Sequence, residues 1–337
     1  MPDSECILKA RGLTKRYGKI TAVDALDLEI NRGEVFGLLG PNGAGKTTTT
    51  LMLLGLTEPS AGSASILGWD CTRNPIAIKR VVGYLPDNMG FYAHLTGREN
   101  LRFTGRVNGL DEKSMEARIR LLAERVGLTE AIDRKTGAYS KGMKQRLGIA
   151  DILMKDPEIL IMDEPTTGLD PEGTRALMEL VRQLSVEEHK TILISSHQLY
   201  QVQQVCDRVG IFVNGRLVAC GPIGELGRQL EQSGAYTIEV MATPVGDALK
   251  ELIQGVSGVE EIEEEHDVLL IRSSQDIRFP LMKAMVEAGF RPEHLRQRGS
   301  DLDEIYRRYF DKGGDSHGSD ALGQPIEKKR FGREVRA

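Results

Sequence analysis

No two cysteines in this 337-residue sequence stand close enough to form a metal knuckle or a disulfide framework. Cys6, Cys71, Cys206 and Cys220 are far apart, and scattered thiols of this kind read as reduced residues of a reducing compartment. Long hydrophobic runs are missing as well. No window approaches the roughly 20 consecutive apolar residues that a membrane-spanning helix needs, so crossing a membrane would fall to another chain. The opening Met1-Pro2-Asp3-Ser4-Glu5 is acidic and has no apolar core, unlike a secretory signal. An excess of one charge is absent too: 44 Lys+Arg face 49 Asp+Glu, a net charge of −5 spread along the chain. Without a clustered basic face, nucleic acid is not the expected partner. There is no internal repeat. With 40% hydrophobic residues at regular spacing, the bulk of the chain can bury a core, and its length suits one large domain and a smaller one.

What is present is a rhythm. Residues 5–230 alternate between strand-like and helix-like stretches. Segments 6–10 and 26–30 read as strands and precede the apolar strand Val35–Leu39, a glycine-rich turn and a helix from Lys46. After Asp87 the pattern turns helical. Thr96 and Glu99 have capping-box spacing, and Met115, Ile119, Leu122 and Val126 share a helical face. Strands resume at 159–162, 191–195 and 209–213. Strands separated by helices imply a mostly parallel, buried sheet, here interrupted by a helical subdomain at about 88–156. A linker at 231–235 leads to a second unit, 235–311, whose β-α-β-β-α-β order predicts a small ferredoxin-like α+β domain. Leu302, Ile305, Tyr306, Tyr309 and Phe310 form an apolar stripe of a last helix. Residues 312–337 read as a disordered tail, and its Lys328-Lys329-Arg330 cluster as solvated.

Two stretches carry chemistry. Gly40-Pro41-Asn42-Gly43-Ala44-Gly45-Lys46-Thr47 matches G-x-x-x-x-G-K-[ST] between a strand and a helix. Gly40, Gly43 and Gly45 let the backbone wrap phosphate, with Asn42 and Thr48 in the same turn. Lys46 brings a cation to the β/γ-phosphates and Thr47 a hydroxyl to Mg²⁺. Residues 159–164 form an apolar strand ending in two acids, Asp163 and Glu164. Given the phosphate loop upstream, Asp163 is expected to hold Mg²⁺ and Glu164 to polarise the attacking water. Together these predict a P-loop NTPase, a nucleotide hydrolase that uses Mg²⁺, without saying which kind.

Between them, Tyr139-Ser140-Lys141-Gly142-Met143-Lys144-Gln145-Arg146 opens a helix. Here the sequence resembles the ATP-binding subunits of ABC transporters, whose L-S-G-G-Q motif stands at this place; the form resembles that of two-component exporters. Ser140, Gly142, Gln145 and Arg146 match, whereas Lys141 replaces a usual glycine and Met143 a usual glutamine. The resemblance implies that Ser140 and Gly142 bind the γ-phosphate of ATP held by the opposite copy in a homodimer. It implies that Tyr17 stacks on adenine, that Asp170 of Gly168-Leu169-Asp170 crosses the dimer interface, and that His197 contacts the γ-phosphate. Asp87 stands where the family commonly has a glutamine that contacts Mg²⁺ and the membrane partner, so Thr47, Asp87 and Asp163 form the expected metal set. The implied function is an ATPase that powers a transporter through an integral membrane permease, peripheral to the cytoplasmic face of the membrane. A soluble ABC-type ATPase acting on ribosomes or DNA is the alternative, and a catalytically silent scaffold a third. The direction of transport and the cargo stay open.

Overall fold

The computed structural model describes residues 5–198, 202–226, 236–244, 246–265 and 268–298. The linker at 231–235, the stripe from Leu302 to Phe310 and the tail therefore lie outside the described residues.

Strand β3 (Val35–Leu39), β6 (Val82–Leu85), β7 (Ile159–Asp163), β8 (Thr191–Ser196), β9 (Arg208–Val213) and β10 (Arg216–Gly221) form one six-stranded sheet in the order β10-β9-β3-β8-β7-β6. Every neighbouring pair is parallel except β9 with β10. The parallel strands are apolar on both faces because both faces are covered. Phe36, Leu38, Ile159, Ile161 and Leu193 point into one core, and Val35, Leu39, Leu160, Met162 and Ile194 into another. Alternation along each strand thus assigns successive residues to different layers.

The first layer is an antiparallel sheet of β1 (Cys6–Tyr17), β2 (Ile20–Asn31), β4 (Ala61–Ile66) and β5 (Trp69–Asp70), with helix α1 (Lys46–Leu53) and α2 (Pro75–Val81). Strands β1 and β2 run for 12 residues each, well beyond the segments legible in sequence. The second layer is helical: α3 (Gly97–Val107), α4 (Glu112–Arg125), α5 (Lys141–Leu153) and α6 (Pro171–Val186). The expected capping box closes the start of α3, with Thr96 and Glu99 each bonded to the other's backbone. Met115, Ile119, Leu122 and Val126 are buried as their spacing required.

After residue 236 a separate core forms around Ile238, Val240, Leu249, Ile271, Leu281 and Met285. Its elements are β11 (Tyr236–Thr243), α7 (Asp247–Gln254), β12 (Val259–Glu265), β13 (Val268–Ser273), α8 (Arg278–Glu287) and β14 (Arg291–Arg298). The sheet is antiparallel in the order β12-β13-β11-β14.

Candidate functional site

In a parallel sheet the loops that leave the carboxyl ends of neighbouring strands meet along one edge. Register puts Leu39 of β3 beside Ser196 of β8, Ser195 of β8 beside Asp163 of β7, and Met162 of β7 beside Leu85 of β6. The phosphate loop, Glu164 and His197 follow directly on β3, β7 and β8, Asp163 is the last residue of β7, and Asp87 stands two residues beyond β6. Segments more than a hundred residues apart thereby share one cavity of about 370 Å³, lined by Asn42, Gly43, Gly45, Lys46, Thr47, Thr48, Asp87, Asp163 and Glu164.

The turn after β3 depends on glycine. Gly45 precedes α1 with φ 109°, and a Cβ there would stand 2.3 Å from the Ala22 carbonyl oxygen. Gly43 has φ 82° and open space where a Cβ would go, which leaves room for a ligand against the backbone. Helix α1 has neither a side-chain cap nor an acid in its first turn, so its positive end is uncompensated.

Lys46 is 5% exposed, and its ammonium donates to the carbonyls of Gly40 (2.7 Å) and Pro41 (3.2 Å). Glu164 Oε1 lies 3.3 Å from that ammonium, yet it is buried and accepts no hydrogen bond. Glu164 itself has φ 49°, a left-handed conformation uncommon for a side chain of this kind. Its Oε2 meets His197 Nδ1 at 2.7 Å. With the carboxylate ionised, the hydrogen in this contact sits on Nδ1.

Thr47 Oγ1 donates to Asp163 Oδ2 at 2.9 Å, and Ser195 Oγ donates to Asp163 Oδ1. Burial, then the charges of Asp163 and Asp87, push the Tyr84 phenol up to about 12. A hydroxyl and carboxylates around a phosphate cradle form the all-oxygen donor set that suits Mg²⁺. The open face of Gly43 fits a phosphate-bearing ligand, and the Thr47 hydroxyl beside the Asp163 carboxylate fits its metal.

Ser140, Gly142 and Asp170 do not join this cavity. They line another, of about 490 Å³, together with Lys141, Arg146, Gly168 and Glu172. Ser140 caps α5 by accepting the Met143 N–H at 3.2 Å, and Asp170 caps α6 by accepting the Gly173 N–H at 2.7 Å. Tyr17 is exposed at the end of β1, with Lys15 Nζ 5.0 Å from its ring centroid. A groove beneath β6 comprises two cavities of about 240 and 270 Å³ that share Tyr84, Thr104, Asp151 and Ile152, with Tyr92 and Phe103 exposed at its rim.

Sequence reasoning missed Ala22 and Ser195. Ala22 contributes backbone from β2 and offers no chemical signal. Ser195 is a polar residue inside an apolar strand, a signal that was legible.

The family model described as ABC transporter matches residues 23–167. The bacitracin transport ATP-binding protein of Bacillus licheniformis is 44% identical over 220 residues, 65% of this chain and 71% of that protein. The Nod factor export ATP-binding protein I of Ralstonia nicotianae is 41% identical, covering 65% of this chain and 68% of that one. Among solved structures, an ATP-binding subunit of an ABC transporter superposes with a TM-score of 0.62 at 33% identity, over 66% of this chain and 93% of that chain. On fold, site and sequence together, the chain belongs to the ABC transporter family, as an ATP-binding subunit whose hydrolysis of ATP powers transport.

Proposed function

We propose that this subunit drives an exporter, working as a head-to-tail homodimer on an integral membrane permease at the cytoplasmic face of the membrane. The observation that carries the reading is the convergence of the carboxyl ends of β3, β6 and β7 on one cavity holding Lys46, Asp163, Glu164 and Asp87. The export named for the Ralstonia nicotianae relative supports the direction. Among the described residues no helix is long and apolar enough to cross a membrane, in keeping with a separate permease.

The backbone of Gly40 to Gly45, Asn42 and Thr48 cradle the phosphates of ATP, and Lys46 sets a buried cation beside them. Thr47, Asp87 and Asp163 would hold Mg²⁺, which would supply charge neutralisation at the phosphate oxygens. Glu164 polarises the attacking water; its Oε1, which lies 3.3 Å from the Lys46 ammonium and carries no hydrogen bond, accepts that water's proton while His197 holds Oε2. Tyr17 stacks on adenine. Because Ser140, Gly142 and Asp170 line a different cavity from Lys46, one chain holds two half-sites. A second copy related by twofold symmetry completes both. The terminal phosphate then closes the dimer, and its hydrolysis releases it. The groove with Tyr92 and Phe103 at its rim borders β6, whose end carries Asp87, and this joins the permease to the nucleotide. The sheet order after residue 236 supports a ferredoxin-like domain that strengthens or regulates the dimer.

The test of the catalytic reading is Glu164→Gln. Loss of a general base slows hydrolysis by roughly 10²–10⁴, while ATP traps a dimer detectable by light scattering. Normal turnover in that variant removes Glu164 from the role. For the small domain, deletion of 235–337 is expected to weaken ATP-dependent dimerisation and alter turnover; unchanged values for both would dismiss it.

A further inference from the structure

The cavity around the phosphate loop has an unbalanced charge. Asp87, Asp163 and Glu164 face it with Lys46 as the one lysine or arginine in its lining, a formal side-chain excess of two negative charges that a bound Mg²⁺ would only balance, leaving the charge of the triphosphate itself to be met. A nucleoside triphosphate there gains from any further cation brought to its terminal phosphate.

Lys141 is such a cation. It is the first residue of α5, directly after the cap Ser140, and it is exposed. Among the described residues it has no ion-pair partner, although Asp170 and Glu172 line the same cavity. Arg146, the other cation there, is engaged by the Gly127 carbonyl at 3.1 Å. The lysine stem lies across Gly168, which has φ 76°. A Cβ on Gly168 would stand 2.6 Å from Lys141 Cδ and 3.0 Å from Nζ, so glycine is what allows the stem to rest there. Packing of the stem limits the rotamer freedom that otherwise weakens lysine contacts. Beside it, the Ser140 hydroxyl accepts from the Met143 N–H, which leaves its proton for another acceptor. Met143 brings no side-chain donor to this turn.

We infer that Lys141 supplies a second ammonium to the terminal phosphate of the nucleoside triphosphate bound by the opposite copy, so that Lys46 and Lys141 hold one phosphate from two chains. The inference rests on the head-to-tail dimer proposed above. It gives Lys141 a part in dimer closure and none in nucleotide capture by the single chain.

The experiment uses the full chain in the Glu164→Gln background, with dimerisation followed by light scattering as MgATP is raised. Lys141→Met is expected to require about tenfold more ATP or higher, the size of a charge-assisted contact, and to lose part of the salt sensitivity of closure. Lys141→Arg is expected to retain most of the affinity. ADP binding to the monomer should be the same in all three. If the parent dimerises and Lys141→Met closes at the same ATP concentration, Lys141 is not on the phosphate. Equal impairment of the Arg and Met variants would assign the effect to packing on Gly168 and overturn the inference as well. A parent that stays monomeric with ATP overturns the dimer itself.

Discussion

Replacing Asp151 by Asn should stabilise the protein, and more so at pH 7.5 than in mild acid. Asp151 lies on α5 against the groove beneath β6, where burial raises its carboxyl from 3.8 to about 6; a hydrogen bond with Thr104 and the charge of Lys155 oppose this only in part. A raised carboxylate pKa means that the folded chain holds the proton more tightly than the unfolded one. Stability therefore falls as pH rises between the two values, and the cost is complete above the folded value. At 1.36 kcal/mol per pH unit, the gap amounts to about 3 kcal/mol at pH 7.5 and about a third of that at pH 4.5. Burial also lowers the Lys155 ammonium, and Asp151 supports its charge. Losing that support brings the expected gain to about 2 kcal/mol, or about 4–8 °C in Tm for a domain of this size. Differential scanning fluorimetry of both proteins at the two pH values reads the effect. A gain of equal size at both, or a loss at pH 7.5, would refute the reasoning.

The other predictions concern the phosphate loop. Lys46→Ala removes the buried cation of the cavity, and ATP affinity measured by calorimetry is expected to fall at least about tenfold; unchanged affinity would take Lys46 off the phosphates. Gly45→Ala forces an alanine into a left-handed conformation costing about 1–2 kcal/mol and drives its Cβ to 2.3 Å from the Ala22 oxygen. Its Tm is expected to drop and nucleotide binding to fail, and wild-type values for both would contradict the geometry described.

The nucleotide machinery was legible wherever it is contiguous. A phosphate loop works through the dihedrals of neighbouring residues and the first turn of a following helix, so eight consecutive letters specify it. The two acids after an apolar strand are legible for the same reason. Alternation of strand and helix announced the parallel sheet, because crossover connections demand it. Strand β10, the short β5 and the full length of β1 were not anticipated. Edge strands and long antiparallel arms alternate polar with apolar residues weakly, and their pairing partners lie far away in sequence.

By itself the sequence determined the ligand class, the family and the residues bearing charge, since these follow from local backbone geometry and side-chain chemistry. Only the tertiary structure decided what meets what. Parallel register set Ser195 on Asp163, the close approach of β2 put Ala22 behind Gly45, and a glycine at 168 gave Lys141 its resting place. It also separated Ser140 and Asp170 from Lys46 into different cavities. Distances between residues remote in the chain depend on how layers pack, and packing is settled by the whole core rather than by any one segment.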